Sequence, residues 1–115
     1  MIKADFYKIN KTEEFFVGFN IKGHSGYAEA GSDIVCASVS SMVMLFVNMV
    51  NDVFQCEFDF KSNEKKASVD FELTKPFDAE SECAIKGIKT LYLCIKSVSE
   101  DYPDFVKVTE TVKKS

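Results

Sequence analysis

The chain contains no arginine and no tryptophan, and it has a single histidine and 2 prolines. Its 14 basic residues are therefore all lysines, and they face 18 acidic residues, which gives a formal net charge of −4 at pH 7. Domains that bind nucleic acid normally carry net positive charge and use arginine for forked contacts to phosphate or guanine. The composition therefore argues against a nucleic-acid partner and suits a basic protein or peptide.

Cysteine and histidine are also too sparse for a zinc centre. The chain has four cysteines, none of them in a Cys-x-x-Cys pair: Cys36, Cys56, Cys83 and Cys94. With His24 as the single histidine, we expect neither a bound metal nor another cofactor. Met1 is followed at once by a strand-like segment, so we expect no signal peptide, reduced thiols and a cytoplasmic location.

The sequence has one long uncharged run, which could be either a membrane-spanning helix or a buried helix of a globular domain. Residues 34–51 form a stretch of 18 residues without a charge, at the short limit for a membrane-spanning helix. The stretch contains serines and asparagines, and Asp33 and Asp52 flank it instead of lysines. We therefore expect a helix buried on most sides and no membrane partner, with a sheet on one side and another helix or a second subunit on the other.

Hydrophobic periodicity predicts strands and helices in the order ββ-α-ββ-α-β. Alternating apolar residues indicate strands at 2–6, 15–21, 55–61 and 67–73, and a last one around Val106 and Val108. The first four strands are predicted to form two hairpins, with turns at 10–13 and 62–65. Helices are predicted over about 33–53, capped by Ser32 or Asp33, and over about 79–100, capped by Asp78. The second helix is predicted to bury a stripe of apolar residues spaced three or four apart: Ala84, Ile88, Leu91, Ile95 and Val98. Residues 1–115 then form a single small domain of the α/β (α+β) class, with one mixed or antiparallel sheet and both helices packed on one face.

The segment from Gly23 to Ser32 has no periodicity and is rich in glycine. Glycine opens backbone angles that are closed to other residues and lets a ligand approach the chain closely. We therefore predict a flexible loop that contacts substrate, through the following residues: Gly23, Ser25, Gly26 and Gly31.

His24 lies near the start of this loop and Cys36 just after its end, and the two form a candidate catalytic pair. A thiol attacks a carbonyl only as the thiolate, and Cys36 in the first turn of a helix would gain from the partial positive charge and free N–H groups there. These N–H groups, including that of Cys36, would also hold an oxyanion. His24 would take the thiol proton and later protonate the leaving amine.

The pattern alone leaves other interpretations open. Asp33 can orient the imidazole of His24 or cap the helix, and one carboxylate does not readily do both. A free cysteine is also often a simple core residue, and a lone histidine near a loop is commonly structural. Cys56, Cys83 and Cys94 are interpreted as structural. Cys56 shares the inward, core-facing side of its strand with Phe58 and Phe60, and the other two cysteines lie on helical flanks.

Two neighbouring motifs resemble the signature of the Prp family, the ribosomal-processing cysteine proteases of bacteria. They are Gly23-His24-Ser25-Gly26-Tyr27-Ala28-Glu29 and Gly31-Ser32-Asp33-Ile34-Val35-Cys36-Ala37. The resemblance extends over the chain in length and element order. It implies that His24 and Cys36 are the catalytic pair, with Asp33 and Ser40 as possible orienting or supporting residues. It also implies a small α/β fold and a homodimer.

The resemblance further implies a narrow substrate. Such enzymes remove the N-terminal extension of large-subunit ribosomal protein twenty-seven, cutting beside aromatic residues, during ribosome biogenesis. An acidic enzyme and a basic ribosomal protein fit this expectation. The alternative is a non-catalytic, ribosome-associated, peptide-binding homodimer of the same fold, in which Cys36 only packs.

Overall fold

A computed structural model describes residues 1–23 and 30–113, and for residues 30–33 the backbone alone. The strands and helices of this part are β1 (Ile2–Lys8), β2 (Gly18–Lys22), α1 (Ala30–Asn48), β3 (Phe58–Asn63), β4 (Ser68–Leu73), α2 (Glu82–Asp101) and β5 (Val106–Val112). A π-helical segment, Met49–Phe54, continues α1, and a 3₁₀ turn, Ala79–Ser81, precedes α2. The predicted order ββ-α-ββ-α-β is confirmed.

The strands form one mixed sheet in the order β3-β4-β2-β1-β5. β1 and β5 run parallel, whereas the other neighbouring pairs are antiparallel. The turn between β1 and β2 is held by Asn10, whose side-chain oxygen accepts hydrogen bonds from the backbone N–H groups of Thr12 and Glu13 at 3.0 and 2.8 Å. An asparagine side chain that bonds its own backbone two or three residues on is a common turn device. It confirms the predicted hairpin.

The two faces of the sheet differ completely in character. The face against the helices carries buried apolar side chains: Ala4, Phe6, Phe19, Ile21 and Phe71. The opposite face is open and polar: Lys3, Asp5, Asn20, Lys22, Lys107 and Thr109. Strand residues alternate between faces, so this division follows from the period-2 pattern of the sequence. It confirms the expectation of two helices on one side of the sheet.

Helix α1 buries one stripe only, so the expectation that it is buried on most sides is wrong. The stripe consists of Val35, Val39, Val43, Phe46 and Val50. Leu45, on another face of the helix, is 67% exposed. The segment Ile34–Phe54 is long and apolar enough to span a membrane by length and composition, and only 28% of it is buried. The low burial of α1 follows from the single layer of helices. One side of α1 packs on the sheet, and α2 lies beside it at the contact between Gly87 and Phe46.

Helix α2 follows its predicted stripe closely. Ala84, Ile88, Leu91 and Ile95 are buried, and Leu93 on the other side is exposed. The predicted cap by Asp78 is not observed, since Asp78 is extended but makes no capping hydrogen bond through its side chain. Ser81 fixes this helix start instead, because its buried hydroxyl donates to the carbonyl oxygen of Lys75 at 2.8 Å.

An aromatic cluster centred on Phe71 joins the sheet to α1. Its ring lies 5.3 Å from that of Phe19, 5.0 Å from that of Phe46 and 5.0 Å from that of Phe58. Aromatic pairs at such distances add stabilisation beyond the area that they bury. The cluster therefore sets how far α1 sits above strands β2 and β4.

Phe60 was predicted to be a core residue and is not, because it is 38% exposed. It points to the same face as its partner Phe71 across the β3–β4 ladder. However, β3 is the edge strand and projects beyond the cover of α1. Cys56 is buried as predicted, but it precedes β3 rather than lying in it.

The aromatic cluster gives a direct stability prediction. Replacing Phe71 with Ala should lower the free energy of unfolding by about 3–5 kcal/mol, because it removes a fully buried ring and leaves a cavity between three others. Phe77→Ala is the matched control, since Phe77 is 71% exposed and its loss should change stability by less than about 1 kcal/mol. Urea denaturation of both variants provides the measurement, and equal midpoints would contradict the role of the cluster.

Candidate active site

A groove with a volume of about 300 Å³ separates α1 from the β3–β4 hairpin. One wall is a stripe of α1 residues spaced four apart: Cys36, Ser40 and Met44. The sheet supplies the floor and the outer wall, mainly through Ile21, Val69 and Phe60. The groove exists because β3 projects past α1, so a strip of the apolar sheet face stays uncovered. Its surface is largely apolar, as in most sites that bind side chains or small ligands.

Cys36 is half-buried in the wall of this groove. The expectation that it lies in the first turn of the helix is wrong, because α1 begins at Ala30 and not near residue 33. At 3.6 residues per turn, Cys36 falls in the second turn, where its N–H is bonded to the carbonyl four residues back. That N–H is therefore not a free oxyanion donor, and the dipole effect of the helix end is weaker there.

The early start of α1 also changes the position of three neighbouring residues. Ser32 and Asp33 lie within the helix and are not its caps, and Gly31 is helical rather than part of a loop. The Gly-Ser-Asp sequence looks like a helix boundary, yet the described helix already includes these three residues and Ala30 before them. Their roles in catalysis or substrate contact stay predictions.

Ser40 lines the same groove as Cys36, one helical turn farther on, as the spacing of four predicts. His24, Ser25 and Gly26 lie outside the described residues. The structure therefore brings Cys36 and Ser40 to one surface. Gly23, the residue before His24 in the sequence, borders the same groove.

Gly23, which also borders the groove, needs to be glycine for two structural reasons. Its φ of +94° is in the left-handed region, and a Cβ there would overlap the carbonyl oxygen of Met1. Its N–H donates to the carbonyl oxygen of Ala67 at 3.1 Å, and Ala67 is itself left-handed at φ 46°. The start of the segment that carries His24 is thus fixed to the turn between β3 and β4.

The remaining cysteines lie in other environments. Cys56 is buried, and this burial raises the pKa of its thiol, with a further contribution from Glu80. Cys83 and Cys94 are exposed on α2. In the ranges 1–23 and 30–113, no three His, Cys, Asp or Glu side chains form a group that could hold a metal ion. Cys36 is thus the one cysteine on the wall of the groove.

Sequence patterns did not identify the hairpin side of the groove. Phe60 and Val69 alternate like ordinary core residues, and only the position of β3 at the sheet edge makes them groove residues. Glu64 and Asn63, in and beside the hairpin turn, also border the groove and were interpreted as turn residues.

Comparison with known proteins matches this arrangement to one family. The model of the family described as Cysteine protease Prp matches residues 1–107. The chain belongs to the cysteine protease Prp family. It is therefore a cysteine protease, and the enzyme expected from the two sequence motifs is confirmed at this level.

Two proteins named Prp and one solved structure resemble the chain over most of their length. The ribosomal processing cysteine protease Prp of Bacillus subtilis is 29% identical over 97 residues, which cover 84% of this chain and 87% of that protein. The Prp of Mycoplasma genitalium is 26% identical over 103 residues, covering 90% and 94%. A structure of the Staphylococcus aureus processing protease with a covalently linked product peptide has a TM-score of 0.81 at 21% identity, covering 96% of this chain and 100% of that one.

The exposure of the thiols leads to a labelling prediction. Brief treatment of the folded protein with iodoacetamide should modify Cys36 and Cys83 but leave Cys56 unmodified, because burial blocks access and keeps this thiol protonated. Peptide mass spectrometry identifies the labelled sites, and labelling in urea shows that Cys56 reacts once the chain is unfolded. Native labelling of Cys56 at the rate of Cys83 would contradict this assignment.

Proposed function

We propose that this protein is the endopeptidase that removes the N-terminal extension of large-subunit ribosomal protein twenty-seven, with Cys36 as nucleophile and His24 as general base and acid. The observation that carries the proposal is the half-buried Cys36 thiol on the wall of an open, apolar groove. A buried structural cysteine such as Cys56 has no comparable access to a ligand.

The chemistry follows the usual course of a thiol protease. The imidazole of His24 takes the proton from the Cys36 thiol, and the sulfur attacks the scissile carbonyl carbon. The C–N bond then breaks, the amine leaves with the proton from His24, and a thioester remains on Cys36. Water, deprotonated by His24, hydrolyses the thioester and restores the thiol. Asp33 would orient the imidazole, and Ser40 would supply a hydroxyl beside the reacting sulfur.

The groove suits a peptide with a large apolar side chain. A cavity of about 300 Å³ is at the small end of ligand sites, large enough for one or two side chains. Its apolar lining, including Val43, Val69 and Phe60, favours an aromatic or long aliphatic residue over a polar one. This supports cleavage beside aromatic residues.

Three further observations support the choice of substrate. The relatives in Bacillus subtilis and Mycoplasma genitalium are named as ribosomal processing proteases. The Staphylococcus aureus protein holds its product peptide covalently, as a nucleophilic cysteine would. The net charge of −4 favours association with a basic ribosomal protein, and a cytoplasmic location is part of the same proposal.

The decisive experiment is incubation with the extended ribosomal protein and mass spectrometry of the products. We expect one cleavage that releases the extension. Cys36→Ser and His24→Ala should each reduce the rate by at least about 100-fold, because each removes one member of the catalytic pair.

Cys83→Ser is the matched control, since it makes the same change at an exposed thiol outside the groove and should leave the rate unaltered. Full activity of Cys36→Ser would exclude the thiol as nucleophile. Binding of the extension by the wild-type protein without cleavage would favour the alternative, a non-catalytic peptide-binding homodimer.

A homodimer belongs to the same proposal, and the outer helical surface is its best candidate interface. This surface consists of the exposed side of α1 and a shallow groove of about 170 Å³ between α1 and α2, lined by Met42, Leu45, Phe46, Met49, Leu91 and Cys94. Exposed apolar patches of this kind mark interaction sites more often than free surface.

The dimer proposal predicts that Leu45→Lys produces monomers, because it places a charge in the middle of an apolar contact. Sedimentation velocity over a range of concentrations measures the change. Phe77→Lys is the control, since it makes the same change at an exposed residue remote from the outer helical surface. A wild-type monomer, or a Leu45→Lys dimer of unchanged strength, would contradict the interface.

A further inference from the structure

The groove beside Cys36 has one charged side chain among the described residues that line it. Apart from the Cys36 thiol, its lining is apolar or neutral, and the exception is Glu64 at the turn between β3 and β4. A single carboxylate at the border of an apolar groove differs from the mixed charges of the open sheet face, where Lys3, Asp5 and Lys22 lie side by side.

The turn that carries Glu64 has a defined conformation. The carbonyl oxygen of Glu64 accepts a hydrogen bond from the N–H of Ala67 at 3.2 Å, and the Asn63 side chain accepts one from the N–H of Lys66 at 3.1 Å. Ala67 in turn accepts the hydrogen bond from Gly23. The backbone of Glu64 is therefore held at a defined place relative to the groove and to Gly23.

This turn lies at the same end of the sheet as Cys36. β4 leaves the turn at Ser68, which pairs with Lys22 at the end of β2. Cys36 lies near the start of α1 and borders the same groove as Gly23. A substrate residue beside Glu64 is thus a near neighbour of the scissile bond, since an extended peptide advances only about 3.3 Å per residue.

We propose that Glu64 is a specificity-determining residue that selects a lysine or arginine side chain at one fixed position near the scissile bond. The proposal rests on the proposed protease function. It adds that the substrate carries a basic residue at a set distance from its large apolar residue. The apolar groove would take the large side chain, and the Glu64 carboxylate would pair with the positive charge at its border.

Two lysines follow Glu64 in the turn and must be considered. Lys65 and Lys66 are exposed, and neither borders the groove. Charges that point into solvent are screened within about 10 Å at ordinary ionic strength. Among the described side chains that line the groove, the charged one is therefore Glu64, which is exposed at its border.

The test is a charge-reversal experiment with cleavable peptides. Peptides of the substrate extension carry Lys, Gln or Glu in turn at each position within four residues of the cleaved bond. The wild-type protein should prefer Lys over Glu at one position by about fivefold in kcat/KM, the scale of an exposed ion pair. Glu64→Gln should abolish this preference, and Glu64→Lys should reverse it at the same position.

Asp59→Asn is the matched control, because Asp59 lies on β3 but faces the open side of the sheet with its partner Glu72. It should keep the wild-type preference, and 0.5 M salt should weaken that preference in all active variants. Glu64→Lys with an unchanged preference would overturn the proposal. If the wild-type protein cleaves none of the peptides, the protease proposal fails, and the same charge series measured as Kd still decides whether Glu64 selects a basic residue.

Discussion

The architecture depends on the difference between the apolar area of one sheet face and the area that the two helices cover. Five strands expose more apolar surface on one face than α1 and α2 can cover, and the uncovered part lies over β4 and the edge strand β3. The aromatic cluster around Phe71 fixes α1 over the inner strands, so the gap cannot close by a sideways shift of the helix. A packing constraint thus creates the groove, and the groove gives Cys36 its access to a ligand.

Periodicity predicted the parts of the fold in which a residue's neighbours lie along the chain. The α2 stripe from Ala84 to Ile95 and the Asn10 turn are of this kind, since the helical period of 3.6 and the side-chain chemistry of asparagine act locally. The start of α1 was not predicted correctly, because Gly31 and Asp33 are residue types typical of helix boundaries, whereas the helix already includes both. The exposure of Phe60 was not predicted either, because the alternation of apolar and polar residues does not reveal which strand forms the edge of the sheet.

The same distinction applies to the site. Cys36 and Ser40 are neighbours by helical spacing, so their shared surface could be read from the sequence. The contribution of Glu64, Phe60 and Val69 to the groove could not be predicted, because it requires the β3–β4 hairpin to lie beside α1. The oxyanion site expected at the N–H of Cys36 fails for a related reason, since it depended on a helix boundary that was placed too late.

The parallel pairing of β1 with β5 has a kinetic consequence. Asp5 of β1 contacts Thr109 of β5 across a separation of 104 residues, and the N–H of Ile2 donates to the carbonyl oxygen of Phe105 at 2.8 Å. Joining such distant segments requires closure of a large loop, which is a slow step in folding. Met1, whose carbonyl packs against Gly23, is anchored next to this junction. The base of the segment leading to His24 therefore lies beside the junction that ties the first strand of the chain to the last.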